Sequence, residues 1–453
     1  MPESPRAFAT AQVQAGFDPG VAENTAVPPI HQSNAFEFAS LSEARDLFAL
    51  RREGNIYSRA ANPTVLVFER RVAALEGGVA AAGVASGQAA VAVALLALAK
   101  SGEHIVAARQ LYGGTVDLLA DTFADWGIDV TFVDQDDLTA WADAIRPTTR
   151  ALFAESVTNP IAQVLDMRPV ADIAHAAGVP LVIDATVATP YLQRAKDHGA
   201  DIVVHSATKF LGGHGTSLGG VVVDLGTFDF GAEPARWPQL TEPYTRVHGG
   251  SLLDRCAETG SAYITLVKTK YVHDLGPSLS AFNAFQLLQG IETLDLRMGR
   301  HAANALEVAR FLDTHPAVAR VHHPGLATSP WHDLATRYLP RGAGSVFSFD
   351  LPTTGDDESD FARVESFIAR LRVVRLVANI GDARSLVAHP ASMTHSHMSA
   401  AQLAEAGISW TTVRLSIGLE DAADVIADLG DALATLTPLE NAPAAQPALI
   451  SAR

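Results

Sequence analysis

One lysine stands out chemically. The chain has only five, Lys100, Lys196, Lys209, Lys268 and Lys270, among 33 basic residues. Lys209 follows the apolar, strand-length run 202–204 through His205-Ser206-Ala207-Thr208 and precedes Phe210-Leu211-Gly212-Gly213-His214-Gly215. In parallel α/β sheets, ligands bind beyond the carboxyl ends of strands, where this lysine falls. A desolvated lysine has a lowered pKa and forms Schiff bases with carbonyl compounds. A loop cation capping a helix is the competing reading. The other lysines are placed less well. Lys100 closes a helical stretch beside Gly102, Lys196 lies in a polar stretch, and Lys268 and Lys270, two apart, do not share a helix face.

Other groups converge on the same kind of position. Ser206 and Thr208 put two hydroxyls at the strand end that carries Lys209. Ser86-Gly87-Gln88 stands between a run of small residues, 80–85, and an apolar helical stretch. Backbone N–H groups at such a helix start bind phosphate, although Ser86 alone is more commonly an ordinary N-cap. Asp184 closes the apolar run 181–183, one helix and one strand before Lys209. A buried carboxylate there needs a cationic partner, and a pyridinium nitrogen would serve. By itself Asp184 also reads as a turn residue. The chain has no Gly-Lys pair, hence no Walker A loop, and no G-x-G-x-x-G after a strand. A Schiff-base lysine, an aspartate for a ring nitrogen and a phosphate cradle together describe pyridoxal phosphate binding.

These groups require an α/β frame. Strand-length apolar runs occur at 105–108, 130–133, 151–154, 181–183, 202–204 and 221–223. Helix-period stretches separate them, including 115–126, with Val116, Leu119, Ala120 and Phe123 on one face, and 170–177, stopped by Gly178 and Pro180. Continuous apolar strands imply a sheet buried on both faces, and strand–helix alternation implies parallel strands. Pro277 opens a helical pattern that runs towards His315 and stops at Pro316. Further strands (345–349, 413–417) and helices (360–371, 421–436) suggest a smaller α/β domain. The expected division is an N-terminal arm over 1–62, with a short helix at 41–50, a large domain over 63–276, a C-terminal domain over 277–437 and a mobile tail over 438–453.

Composition narrows the function classes. The chain has 453 residues, 48% apolar and 18% charged, which supports a packed core rather than disorder. Its net charge of −17 opposes binding to nucleic-acid backbones. Cys256 is the only cysteine, so no internal disulfide or cysteine-based zinc site forms, and no metal is expected. Residues 1–10 show no signal peptide, and the longest apolar run, 89–99, is too short to span a membrane. A cytoplasmic setting is expected.

At these residues the sequence resembles the Cys/Met-metabolism family of pyridoxal-phosphate enzymes, of fold type I, the aspartate aminotransferase-like fold. The matching stretches include Tyr57-Ser58-Arg59 with Asn62-Pro63-Thr64, Leu75-Glu76-Gly77-Gly78, Ser86-Gly87-Gln88-Ala89-Ala90 and Tyr112-Gly113-Gly114-Thr115. Asn159-Pro160, Asp184 with Ala188-Thr189-Pro190, and Ser206-Ala207-Thr208-Lys209 continue the match. Ser385-Leu386, His389-Pro390-Ala391-Ser392 and Arg414-Leu415-Ser416 extend it into the C-terminal part. Within the family, the stretches 212–217, 280–290 and 378–386 are most similar to the O-acetylhomoserine sulfhydrylases.

The resemblance implies a mostly parallel central sheet in the large domain and roles for individual residues. Lys209 would hold the cofactor and move protons. Asp184 would pair the ring nitrogen, and Tyr112 would stack on the ring. Gly87, Gln88, Ser206 and Thr208 would hold the phosphate, and Tyr57 and Arg59 would reach the phosphate of a neighbouring subunit's cofactor. Arg414, with Asn159 and Asn379, would bind the substrate carboxylate, for which the arginine fork is suited. Alone, Arg414 would read as a surface charge. The implied assembly is a homo-oligomer with shared sites, a tetramer, and the implied reaction is that of O-acetylhomoserine with sulfide. Ala185 stands where relatives often carry Asn, Val187 where Phe is common, and Arg384 where Lys is frequent. Gly114 replaces a cysteine typical of methionine γ-lyases and is expected to leave room beside Tyr112 for a sulfur nucleophile. The rival readings are cystathionine synthesis, an O-succinylhomoserine sulfhydrylase, γ-lyase breakdown, and a pyridoxal-phosphate-binding protein without turnover.

Overall fold

The computed structural model describes residues 6–247, 249–257 and 260–437; the expected tail, 438–453, lies outside them. Seven strands form the larger sheet: β1 (Ala80–Val84), β2 (His104–Ala108), β3 (Asp129–Val133), β4 (Thr149–Glu155), β5 (Leu181–Asp184), β6 (Ile202–His205) and β7 (Gly220–Asp224). Their order is β1-β7-β6-β5-β4-β2-β3. The pairs β2–β3, β2–β4, β4–β5 and β5–β6 are parallel, whereas β7 runs antiparallel to both β1 and β6. Fold type I, with a mostly parallel sheet, is the architecture seen. Every residue of β2, β6 and β7 is buried, as expected for strands covered on both faces.

The helix Gly87–Leu96 leaves β1 and packs on β6 and β7. Ser86 caps it, its hydroxyl accepting the Ala89 N–H at 3.2 Å. The helical stretch at 115–126 forms, but a π turn over Leu118–Thr122 interrupts it. The extra residue in that turn keeps Leu119 and Phe123 buried and swings Ala120 out to solvent. Ala120 therefore does not share the buried face that an unbroken α period assigned to it.

A second sheet holds β8 (Arg320–His322), β9 (Val346–Asp350), β10 (Arg375–Leu376), β11 (Leu386–Ala388) and β12 (Thr412–Ser416), in the order β10-β11-β12-β9-β8. Only β10–β11 is parallel. The single helical pattern read from Pro277 to His315 divides into two helices, Ala281–Ile291 and Leu294–Asp313. Thr293, at φ −119° and ψ 18°, breaks the helical run, and Ser280 caps the first helix. In the N-terminal part, the short helix runs over Leu41–Phe48, and a second helix, Phe8–Gln14, was not expected. Gln12 ties that helix to the body of the molecule by donating to Asp295 at 2.5 Å. No helix among the described residues is long and apolar enough to cross a membrane.

Candidate active site

A cavity of about 640 Å³ opens at the carboxyl ends of the large sheet. Glu155 ends β4, Asp184 ends β5 and Ser206 follows β6, and all three line it. The second part of the chain closes the cavity with the 378–380 segment, Arg414 from β12, and Met393, Thr394 and His397 from the turn after β11. Of the residues singled out in the sequence, Gly87, Gln88, Tyr112 and Asp184 line the cavity on the side of the large sheet. Ser206, Thr208, Lys209, Asn159, Asn379 and Arg414 line it as well. Tyr57 and Arg59 do not. Tyr57 is 42% exposed, and the Arg59 guanidinium lies over its ring at 5.2 Å.

Asn379 joins the two charged groups at the centre. The Lys209 amine donates to its side-chain oxygen at 2.6 Å, and Arg414 donates to its backbone carbonyl at 2.8 Å. Burial, and secondly the positive charge of Arg414, lower the Lys209 pKa to about 8. Arg414 is 2% exposed, and burial brings it down to about 10. Its Nε has no partner among the described residues, nor does the buried Asn159 Oδ1. A buried donor without an acceptor is costly, so the Arg414 fork is prepared for an anion. A half-turn of the Asn159 amide would exchange that oxygen for its NH2 donor. Three other lysines are committed elsewhere. Lys196 donates to the carbonyls of Gly77 and Leu225, Lys268 pairs with Glu69 at 2.7 Å, and Lys270 lies over the Tyr271 ring.

The lowered lysine pKa fixes a pH dependence. Only the neutral amine attacks a carbonyl group. Below pH 8 the neutral fraction of Lys209 rises about tenfold per unit, and above it levels off, whereas an ordinary lysine keeps climbing to about 10.4. The rate at which cofactor-free protein captures added pyridoxal phosphate, followed by the visible absorption of the lysine-bound cofactor, should therefore flatten near pH 8. A rate still climbing steeply through pH 10 would contradict this environment for Lys209.

Asp184 is held from one side, its Oδ1 accepting the Thr186 N–H at 2.9 Å. Burial raises its pKa, against the Thr186 hydrogen bonds and the nearby His205, so the carboxylate gains from a cation in the cavity. His205 is itself buried against Glu76 at 2.6 Å. Glu155, not singled out in the sequence, pairs in register with Asp184 on the adjacent strand. Burial, and secondly the Asp184 charge, push it up to about 8. The signal was present, since Glu155 closes the apolar run 151–154 much as Asp184 closes 181–183. Thr186, Met393, Thr394 and His397 were also missed; no apolar run ends at them. Of the departures from family pattern, Val187 lines the cavity, and Ala185 is fully buried with its N–H on the Val204 carbonyl at 3.0 Å.

The fit to pyridoxal phosphate can be tested on the cradle. A Cβ added to Gly87 would lie 2.5 Å from the Ser206 Cβ, so only glycine lets the helix start approach Ser206 this closely. The first N–H groups of a helix have no intrahelical acceptor, and those of Gly87 and Gln88 stand at this approach. The Gln88 side chain is spent, donating to the Gly114 carbonyl at 2.7 Å and accepting from Thr115 at 3.3 Å. The Thr208 hydroxyl is likewise engaged with Gly219. Backbone N–H groups and the Ser206 hydroxyl thus suit a phosphate, and Asp184 suits a ring nitrogen. At Gly114 the expectation changes. A Cβ there would meet the Tyr112 ring at 2.7 Å. The room that the glycine frees is taken by Tyr112 itself rather than left open for a nucleophile.

Comparison with known proteins agrees with this fit. The chain is 43% identical to an O-acetyl-L-homoserine sulfhydrylase of Leptospira meyeri over 431 residues, 94% of this chain and 96% of that protein. It is 41% identical to a homocysteine synthase of Schizosaccharomyces pombe over 434 residues, 96% and 99% of the two chains. Among solved structures, a Campylobacter jejuni protein assigned as an O-acetylhomoserine (thiol)-lyase, holding N'-pyridoxyl-lysine-5'-monophosphate, matches with a TM-score of 0.89 at 36% identity. That match covers 95% of this chain and 100% of the other. A cystathionine γ-synthase of Xanthomonas oryzae matches with a TM-score of 0.80 at 32% identity, over 95% and 98% of the two chains. The family model for Cys/Met metabolism PLP-dependent enzymes spans residues 9–434, and the chain belongs to that family of pyridoxal-phosphate enzymes.

Proposed function

We propose that the protein catalyses a γ-replacement in which O-acetyl-L-homoserine and sulfide give L-homocysteine and acetate. The observation that carries this reading is the Lys209–Asn379–Arg414 bridge, which sets a proton-carrying amine beside a carboxylate-binding guanidinium. The names of relatives at 43% and 44% identity support the choice of substrate.

In this reading Arg414, with Asn159 and Asn379, holds the substrate carboxylate. Asp184 keeps the cofactor's ring nitrogen protonated, Tyr112 packs on the ring, and Gly87, Gln88, Ser206 and Thr208 surround the phosphate. Pyridoxal phosphate, when bound, supplies an electron sink for charge on the substrate carbons. Lys209 takes a proton from Cα, releases it within the site and, neutral again, takes another from Cβ. The Cγ–O bond breaks, and acetate leaves with its electron pair. Hydrosulfide forms the Cγ–S bond, and Lys209 returns protons to Cβ and Cα. One amine titrating at about 8 suits both directions of transfer.

The test is product analysis. O-acetylhomoserine with sulfide should yield homocysteine as the main product, with 2-oxobutanoate and ammonia as minor leakage. Cysteine in place of sulfide, O-succinylhomoserine in place of the acetyl ester, and methionine should each be poorer substrates. Efficient 2-oxobutanoate release from methionine would make the protein a γ-lyase, and faster reaction with cysteine would make it a cystathionine synthase.

The same reading assigns 63–276 as the cofactor domain, 277–437 as the C-terminal domain and 1–62 as an arm in a homotetramer of the reducing cytoplasm. Its support is electrostatic. In the cavity, Lys209 and Arg414 are both engaged with Asn379, and no further Lys or Arg among the described residues lines it to face a phosphate. Arg59 is exposed, over the Tyr57 ring and outside this cavity, and in this reading it serves a neighbouring subunit. Mixed oligomers of Arg59→Ala and Lys209→Ala chains should then regain activity, because one site per mixed pair is intact. Persistent inactivity in verified mixed oligomers would rule out sharing.

A further inference from the structure

Among the buried titratable groups that line the cavity in the described residues, Glu155 is one that the reaction leaves unused. It lines the cavity at the end of β4, 6% exposed, opposite Asp184 in the sheet register. Its two oxygens are separately engaged. Oε1 accepts the Tyr112 N–H at 2.6 Å, and Oε2 accepts the Asn159 N–H at 3.2 Å. These bonds reach two loops that no strand pairing joins. The first begins the Tyr112-Gly113-Gly114 turn after β2, and the second precedes Pro160 after β4.

We propose that Glu155 is a positioning residue that clamps the backbone of Tyr112, the ring-stacking side, to that of Asn159, the substrate-carboxylate side, and so sets the gap in which the substrate lies. This rests on the roles given above to Tyr112 and Asn159. Two N–H donors on two different oxygens favour the carboxylate, against the burial and the Asp184 charge that push the group up, and an amide offers only one good acceptor. The site sustains that carboxylate next to Asp184 at a cost. On adjacent strands about 4.8 Å apart, two buried anions repel strongly unless a cation stands in the same cavity. With both oxygens occupied by N–H groups, Glu155 is poorly placed to take a substrate proton, which separates it from Lys209. Nor is it an ordinary strand-end carboxylate, since both its bonds run to backbone that carries cavity-lining side chains.

The test uses the holoenzyme and Glu155→Gln, which keeps the shape but turns an NH2 towards one of the two donors. Losing one hydrogen bond of this charge-assisted kind should raise KM for O-acetylhomoserine by about tenfold or more. KM for sulfide should stay near the parent value. The visible band of the bound cofactor should shift as the Tyr112 ring moves. Glu155→Asp, which keeps the charge but is one methylene too short to reach both donors, should show the same pattern. Variants with the parent KM and spectrum, whatever their melting temperature, would overturn the proposal. So would loss of folding in both variants, since Glu155 would then be structural. A parent protein without activity on O-acetylhomoserine would instead overturn the reaction assignment, while the spectral shift would still report on the clamp.

Discussion

Replacing Lys209 by alanine should abolish turnover and remove the absorption band of the lysine-bound cofactor. Loss of the proton-transfer group alone lowers rates by about 10²–10⁴-fold, and loss of the covalent anchor adds to this. The protein should still fold. Lys209 is half-buried and makes one side-chain hydrogen bond, to Asn379, so its removal opens no large void in the core. Pyridoxal phosphate should still bind, more weakly, through the Gly87–Ser206 cradle and Asp184. Absorbance with borohydride reduction and peptide mapping is the check. A variant that keeps a borohydride-reducible link at Lys100 or Lys270 would show that the wrong lysine has been assigned.

Arg414→Gln should damage substrate binding more than cofactor binding. Its guanidinium is almost fully buried, with one arm on the Asn379 carbonyl and Nε without a partner among the described residues. Removing one member of a buried charge pair costs about 3–5 kcal/mol, so kcat/KM should fall by roughly 10²–10⁴-fold, mostly through KM. Arg414→Lys should recover only part of this, because a point charge lacks the planar fork. A second consequence has a definite sign. Arg414 lowers the Lys209 pKa, so without it that pKa rises above about 8. The plateau in cofactor capture should then move to higher pH in Arg414→Gln and stay put in Arg414→Lys. An unchanged KM for O-acetylhomoserine would remove Arg414 from the substrate site.

Much of this was legible because the site sits where buried strands end. Asp184 closes an apolar run and Lys209 follows one after a short stretch, before a glycine-rich turn, a pattern visible without any relative. Asn159, Asn379, Tyr57 and Arg59 carry no such mark and were reached only through the family resemblance. Glu155 closes an apolar run as Asp184 does, but a sequence does not show that 151–154 and 181–183 lie side by side. Two further features were hidden for physical reasons. An apolar strand reads the same in either direction, so the reversal of β7 was not evident in 221–223. The clue was the stretch after β6, which has glycines and no helix-length pattern for a crossover. The π turn at Leu118–Thr122 inserts one residue into an otherwise regular period, which counting by 3.6 places on the wrong face.

The position of β1 bears on how the chain is made. As an edge strand of the large sheet, it has β7 as its only strand neighbour among the described residues, and five strands are synthesised between the two. Until β7 arrives, β1 and the apolar helix Gly87–Leu96 that rests on β6 and β7 lack the surface they bury against. Pairings across such sequence distances form late, and chains waiting for them expose sticky surface. Refolding from denaturant should therefore lose yield steeply with protein concentration. The cofactor offers no early rescue, because its cradle needs Gly87 beside Ser206, and Ser206 emerges only with the last strands of the sheet. The exposure of this surface on the unfinished chain is set by strand order and not by the stability of the finished fold.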